Sequence, residues 1–441
     1  MGHIASQGVY QKLRKRLDRN TIGAPESKTM FEILKTMYTT EEAEIACQMP
    51  MRFSTLKDLS KKTNKALKKL EPVLEKMAEK GLVFDLERNN KKYFMLSPTI
   101  IGFIEFSLMR VTDKLNQKKL AGLYKKLFKD DDVFVRDAFQ GETQIGRTLA
   151  NETTLSEEDY AEILDYEKAS YMIDSAEKFS VGLCCCRHSA LHNGDTCKFA
   201  PETCMSFNKS ADFLIRRGLA REISKEKALE IFEQSRSAGL VQVGDNVKRN
   251  SNYLCNCCGC CCGQLGGFKR LKPFAAVHSS NFMAGVNAEQ CNGCGVCAKK
   301  CQVEAMEMKY KNENLTGKEK ERPANKYAEV NEEYCLGCGI CAHFCKAKAV
   351  DMLKRKVRVY TPENTFERTV LQFLERGKIN ELLFDGGNND LGSYVMNVAV
   401  KTITNLPLVK RALLQKQVKS KFLEVALNKV NHSKDKWLSE V

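Results

Sequence analysis

The stretch Cys291-Asn292-Gly293-Cys294-Gly295-Val296-Cys297-Ala298-Lys299-Lys300-Cys301 returns as Cys335-Leu336-Gly337-Cys338-Gly339-Ile340-Cys341-Ala342-His343-Phe344-Cys345. Each copy spaces three cysteines at intervals of three and adds a fourth four residues on, which is the ligand run of a cubane iron-sulfur cluster. One tight loop supplies three thiolates, and in two-cluster proteins the fourth comes from the other run. The spacing therefore predicts two 4Fe-4S clusters. One is held by Cys291, Cys294, Cys297 and Cys345, and the other by Cys335, Cys338, Cys341 and Cys301.

The duplication extends beyond the thiols. Val286-Asn287 returns as Val330-Asn331, Ala305 as Ala349 and Met308 as Met352. Such a repeat predicts a pseudo-two-fold pair of units, each a strand, a ligand loop, a short helix and a strand. The glycines let each loop turn sharply and aim backbone N-H groups at sulfur. Gln302 and Lys346 stand where the run normally ends in proline, a change that touches loop rigidity and not ligation. Zinc is the competing occupant, but zinc modules rarely place three cysteines at successive intervals of three.

Eleven further cysteines precede this unit, as Cys184-Cys185-Cys186 with Cys197 and Cys204, and as Cys255, Cys257, Cys258, Cys260, Cys261 and Cys262. Packing alone does not call for so many thiols in so short a stretch, so at least one more metal site is expected, a third or fourth iron-sulfur cluster or a structural zinc. Between the groups, Ser224 is placed to start a helix that Gly239 ends. Arg187 is placed to donate hydrogen bonds to thiolate sulfur. His188 and His192 are expected to flank the site and not to ligate, and Cys47 to fill apolar space.

The N-terminal third reads as helix, helix-turn-helix and hairpin. Met30, Ile33, Leu34 and Met37 stripe one helix, and Leu67, Leu70, Leu74 and Met77 stripe another that Gly81 ends. Strands from Leu82 to Glu87 and from Lys91 to Leu96 turn through Asn89-Asn90. This winged-helix layout raises DNA as a partner, although Glu71, Glu75 and Glu79 among the lysines and Pro72 within the helix argue against a groove reader. The net charge of +15 is spread along the chain and suits docking to acidic redox partner proteins. Past Met352, a basic amphipathic helix beginning near Pro407 is expected to pack on the core or touch a membrane surface peripherally.

Residues 286-352 resemble a bacterial two-cluster ferredoxin, and Tyr38 to Met352 resembles winged-helix proteins of anaerobic bacteria that end in a 4Fe-4S dicluster ferredoxin domain. That family's central motif runs Cys-x-Cys-Arg, then Cys, then Pro and Cys, here Cys184, Cys186, Arg187, Cys197, Pro201 and Cys204. Its second motif resembles Cys255, Cys257 and Cys258 with the pair Cys261-Cys262. The resemblance implies that Cys184, Cys186, Cys197 and Cys204 form one set, with Cys255, Cys257, Cys258, Cys261 and Cys262 completing it or holding another. It leaves Cys185 and Cys260 as spares.

The expected fold is α+β: a winged helix (24-110), a central cysteine-rich α/β metal-binding domain (111-280), a ferredoxin-like dicluster domain (281-360) and a basic helical C-terminal region (361-441). The expected function is relay of single electrons in the cytoplasm of an anaerobe, as a carrier or oxidoreductase subunit. A redox-sensing regulator and an enzyme with a catalytic central cluster are the alternatives. Neither Gly-x-Gly-x-x-Gly nor a P-loop occurs, so no nucleotide cofactor is expected.

Overall fold

The computed structural model describes residues 2-130, 132-195, 197-271, 277-312, 314, 316-384, 400-402 and 404. The basic helix expected near Pro407 lies outside them. Among the described residues no helix is long and apolar enough to cross a membrane.

The chain opens with a helix, Gly2-Leu17, whose Leu13 and Leu17 are fully buried against Lys28-Met37 and Thr40-Ala46. The next two helices are locally specified. Ser27 accepts the N-H of Met30, and Thr39 and Glu42 form a reciprocal capping box. Strand β1 (Ser54-Thr55), helices Leu56-Thr63 and Leu67-Glu79, and strands β2 (Val83-Arg88) and β3 (Lys91-Leu96) follow. The three strands form a sheet in the order β1-β3-β2. Asn89 and Asn90 at φ 51° and 57° provide the left-handed turn of the hairpin. Leu67-Glu79 runs through Pro72 as one helix.

That unit does not stand apart. Phe84 on β2 packs on Phe106 and Phe213, with centroids 5.2 and 4.8 Å away. Asp85, 6% exposed in its side chain, accepts Arg216 at 2.6 Å and Arg217 at 2.7 Å. Helix Gln117-Lys129 joins the N-terminal core to the central region by packing on both Lys28-Met37 and Cys185-His192.

The central region is built on β4 (Gly146-Thr148), β5 (Phe179-Leu183), β6 (Glu202-Phe207), β7 (Arg221-Ile223), β8 (Val241-Asp245) and β9 (Tyr253-Cys257). Their order is β4-β8-β9-β6-β5-β7 and every pairing is antiparallel. This departs from the expected α/β region. β8 returns directly to β9, and β5 to β6 around the first cysteine group, so no parallel crossover is made. Helix Lys225-Ala238, capped by Ser224 and closed by Gly239 at φ 88°, covers one face with Ile231 and Phe232.

Two antiparallel pairs complete the architecture: β10 (Phe282-Val286) with β13 (Val350-Lys354), and β11 (Met306-Tyr310) with β12 (Lys326-Val330). Helix Thr365-Glu375 then returns to the central sheet. Its Arg368 pairs with the fully buried Asp245, and Arg376 beyond it donates to the carbonyls of Thr21, Asp137, Ala138 and Gln140.

Candidate metal centres

In the dicluster unit the two repeats make matching local contacts. Asn287 and Asn331 each accept two backbone N-H groups at the loop entrance. Gly293 and Gly337 both have φ 68°, and a Cβ at either would overlap a carbonyl, of Pro323 or of Phe282. The N-H of Ala305 points at Cys301 Sγ at 3.2 Å, and that of Ala349 at Cys345 Sγ at 3.3 Å. Such N-H groups suit a negatively charged thiolate.

The fourth cysteine of each run lies close enough to the other run to act on its thiols. Burial pushes the Cys297 thiol up to about 11, and Cys291, Cys294 and Cys345 add to the effect. Burial raises Cys338 to about 12 and Cys341 well above the thiol range, with Cys301 contributing to both. Cys345 thus acts on Cys297 of the first run, and Cys301 on Cys335, Cys338 and Cys341 of the second. Dry, crowded thiols of this kind lose their protons to an incoming cation, so the donor set fits two cubanes. Cys294 is exposed, placing that edge at the surface.

The eleven central cysteines divide differently from the expected sets. Cys197, Cys258, Cys260 and Cys261 converge, their sulfurs all within 4.8 Å of one another. Cys197 therefore leaves Cys184, Cys186 and Cys204, and Cys260, expected as a spare, joins the site. The physical reason is the 258-262 turn: after β9, buried Cys258, exposed Cys260 and half-buried Cys261 gather with Cys197, while Cys262 caps helix Gly263-Arg270.

The other seven form an inner nest. Cys186 of helix Cys185-His192 touches Cys184 and Cys185, and reaches Cys262; Cys262 meets Cys257, which meets Cys255 on β9, which meets Cys204 on β6. Hydrogen bonding with Cys186 and burial hold Cys184 and Cys185 well above the thiol range. Hydrogen bonds from Cys186 and Cys257 draw Cys262 down to about 5. Cys185, the other expected spare, lies in this nest.

Arg187 stands between the groups. It donates to the carbonyls of Ala200 and Asn256 and to Thr203 Oγ1. Burial works against its charge, yet Cys184 from one group and Cys258 and Cys197 from the other raise its pKa above the ordinary value. In the outer group a hydrogen bond from Cys261 draws Cys258 down to about 4, with Arg187 helping. His188 Nδ1 lies 2.8 Å from the Leu108 carbonyl, and its ring is 4.7 Å from that of His192. Cys47 is partly buried, its Sγ 3.6 Å from the Val9 carbonyl.

Glu105 escapes a motif search but borders the nest. Its carboxylate accepts the N-H of Gly102 at 3.1 Å, and burial raises its pKa to about 7, with Cys255 adding to the shift. The preceding Ile101 has φ 50°, an unfavourable conformation for a β-branched residue. A lone carboxylate in the apolar run from Ile100 to Met109 was the only signal in the sequence.

Gln302 joins the outer group to the dicluster unit. Gln302, directly after Cys301, accepts the N-H of Gly259 through Oε1 at 2.6 Å and donates from Nε2 to the Gly239 carbonyl at 3.1 Å. A Cβ on Gly259 would overlap the Gln302 carbonyl.

No curated protein and no solved structure matches the chain. Residues 290-349 match the family model of the 4Fe-4S dicluster domain. The chain therefore carries a 4Fe-4S dicluster domain, and this domain together with the gathered thiols points to an iron-sulfur electron-transfer protein.

Proposed function

We propose that the protein relays single electrons between acidic redox partners through the two dicluster sites and at least one further iron-sulfur cluster in the inner nest. The observation that supports this reading is that Cys345 acts on Cys297, and Cys301 on Cys335, Cys338 and Cys341, each from the other run, together with the Gln302 contact that ties the Cys301 side to the central cysteines. A cubane, when bound, exchanges one electron at a time without making or breaking a substrate bond. The residues of the chain hold it, dry it and set its potential. Ala305 and Ala349 direct N-H groups at the sulfurs of Cys301 and Cys345, exposed Cys294 offers a docking edge, and Lys299, Lys346 and Lys348 ring the fourth ligands with exposed positive charge.

Seven thiols exceed what one cubane uses, which supports a nest built for a cluster and for exchange of ligands around it. Arg187 would offset thiolate charge there and keep the two central groups in register.

In this reading the N-terminal winged helix is a scaffold and not a DNA reader. Glu75 pairs with Lys92 and Arg217, Glu71 with Lys92 and Glu79 with Lys114, so the carboxylates of helix Leu67-Glu79 are engaged within the protein. A groove reader would present cations there. The test is anaerobic: the reduced full chain, mixed with an acceptor protein, should return its electrons in successive single steps without consuming a small molecule. A substrate that shifts the spectrum of the central sites and is turned over would replace the relay by an enzyme.

A further inference from the structure

We propose that Cys197, Cys258, Cys260 and Cys261 bind one tetrahedral thiophilic ion, Zn(II) or Fe(II), and not an iron-sulfur cluster. The sulfur spacing decides it. Cys197 Sγ lies 3.9 Å from Cys258 Sγ and 3.8 Å from Cys260 Sγ, and Cys260 and Cys261 are 3.6 Å apart. Four thiolates around one ion at the usual metal-sulfur distance of about 2.3 Å form a tetrahedron with edges of about 3.8 Å. A cubane places four irons and four sulfides between its thiolates and so holds them further apart. Among the described residues, no other set of three or more potential ligands crowds within the same limit, including the eight dicluster cysteines.

The position gives the ion a purpose. It would cross-link the loop carrying Cys197, after the first cysteine helix, to the turn after β9, fixing Gly259 between two of its ligands. Gly259 is the residue that meets Gln302. A closed four-thiolate site of this kind stabilises an irregular loop without taking part in electron flow. The ion is therefore a clamp that sets how the central region meets the dicluster unit.

The inference goes beyond the relay and is tested apart from it. Zinc, iron and acid-labile sulfide are measured on the anaerobically purified full chain and on Cys260→Ser. The full chain should hold one ion in excess of the sulfide-bearing iron, and Cys260→Ser should lose about one ion per chain with sulfide unchanged. Zinc analysis identifies one source, and an isolated high-spin iron signal the other. Where the ion is zinc, zinc-edge X-ray absorption of the intact protein should show four sulfurs at about 2.3 Å and no neighbouring metal; where it is iron, Mössbauer spectroscopy of the intact protein should show one high-spin ferrous site apart from the clusters, so the test stays open should the variant fail to fold. Loss of iron and sulfide together in Cys260→Ser, or a metal-metal neighbour in the absorption spectrum of this site, would overturn the single-ion assignment.

Discussion

Gln302 occupies the position after the fourth cysteine and uses its side-chain amide to hold Gly259 of the central region at 2.6 Å. Replacing it by proline should leave iron and sulfide content intact, because no ligand is touched. It should remove two hydrogen bonds across the seam, costing about 1 to 3 kcal/mol. Hydrogen exchange at residues 255-263, measured anaerobically, should rise in Gln302→Pro, and cluster loss in that variant would show that the residue does more than join the two parts.

Gly259 provides the converse test. A side chain there meets backbone, not a flexible tip. Gly259→Val should force the seam apart and lower the thermal midpoint, whereas Gly266→Ala, where nothing lies within 4 Å, should not. Equal effects from the two would remove the case for a close-packed seam.

Stability should also depend on His278. Burial lowers its pKa to about 4, and its Nε2 lies 3.3 Å from the Gln144 N-H, which an unprotonated nitrogen accepts. The unfolded chain binds a proton near the ordinary value of about 6.5, so the contribution is complete above that pH and is lost as pH falls toward 4. Integrated over the window, this one group contributes up to about 3 kcal/mol. Denaturant midpoints between pH 7 and pH 4 should fall less in His278→Gln than in the parent; identical slopes would refute the assignment.

The lysines beside the fourth ligands should tune potential and docking together. Positive charge favours the more negative reduced cluster, so Lys346→Glu with Lys348→Glu should lower the dicluster potentials in a redox titration. Affinity for an acidic partner should fall about two- to fivefold per lysine at low salt, with the difference vanishing as salt screens it. An unchanged potential and an unchanged affinity would remove these residues from the account.

How much of this was legible in the sequence depended on how local each feature is. The eight dicluster cysteines carry their geometry in their spacing, because a loop of three ligands is fixed by the turn itself and the repeat supplies the partner. Ser224, Gly239 and Asn89-Asn90 mark their own helix ends and turn in the same local way. The central thiols do not. Their grouping depends on β6 and β9 being neighbours and on a turn after Cys257 that places Cys258 with Cys197 and leaves Cys262 with Cys186 and Cys257. The sets implied by the resemblance therefore differ from the groups the fold makes, in which Cys197 and Cys260 stand together. Glu105 was invisible for the same reason, since only the packing of an irregular turn carries it to Cys255. The docking of β2 on Phe213 and Arg217 likewise joins residues more than a hundred positions apart.

The central claim, that the chain carries electrons on a dicluster domain, is tested most directly by metal and sulfide analysis with electron paramagnetic resonance on the anaerobically purified, dithionite-reduced full chain. The account predicts about eight irons with matching sulfide from the dicluster domain alone, further iron from the inner nest, and coupled signals of two reduced clusters that Cys294→Ser reduces to one. Protein that holds only zinc, with no acid-labile sulfide and no signal on reduction, would contradict it.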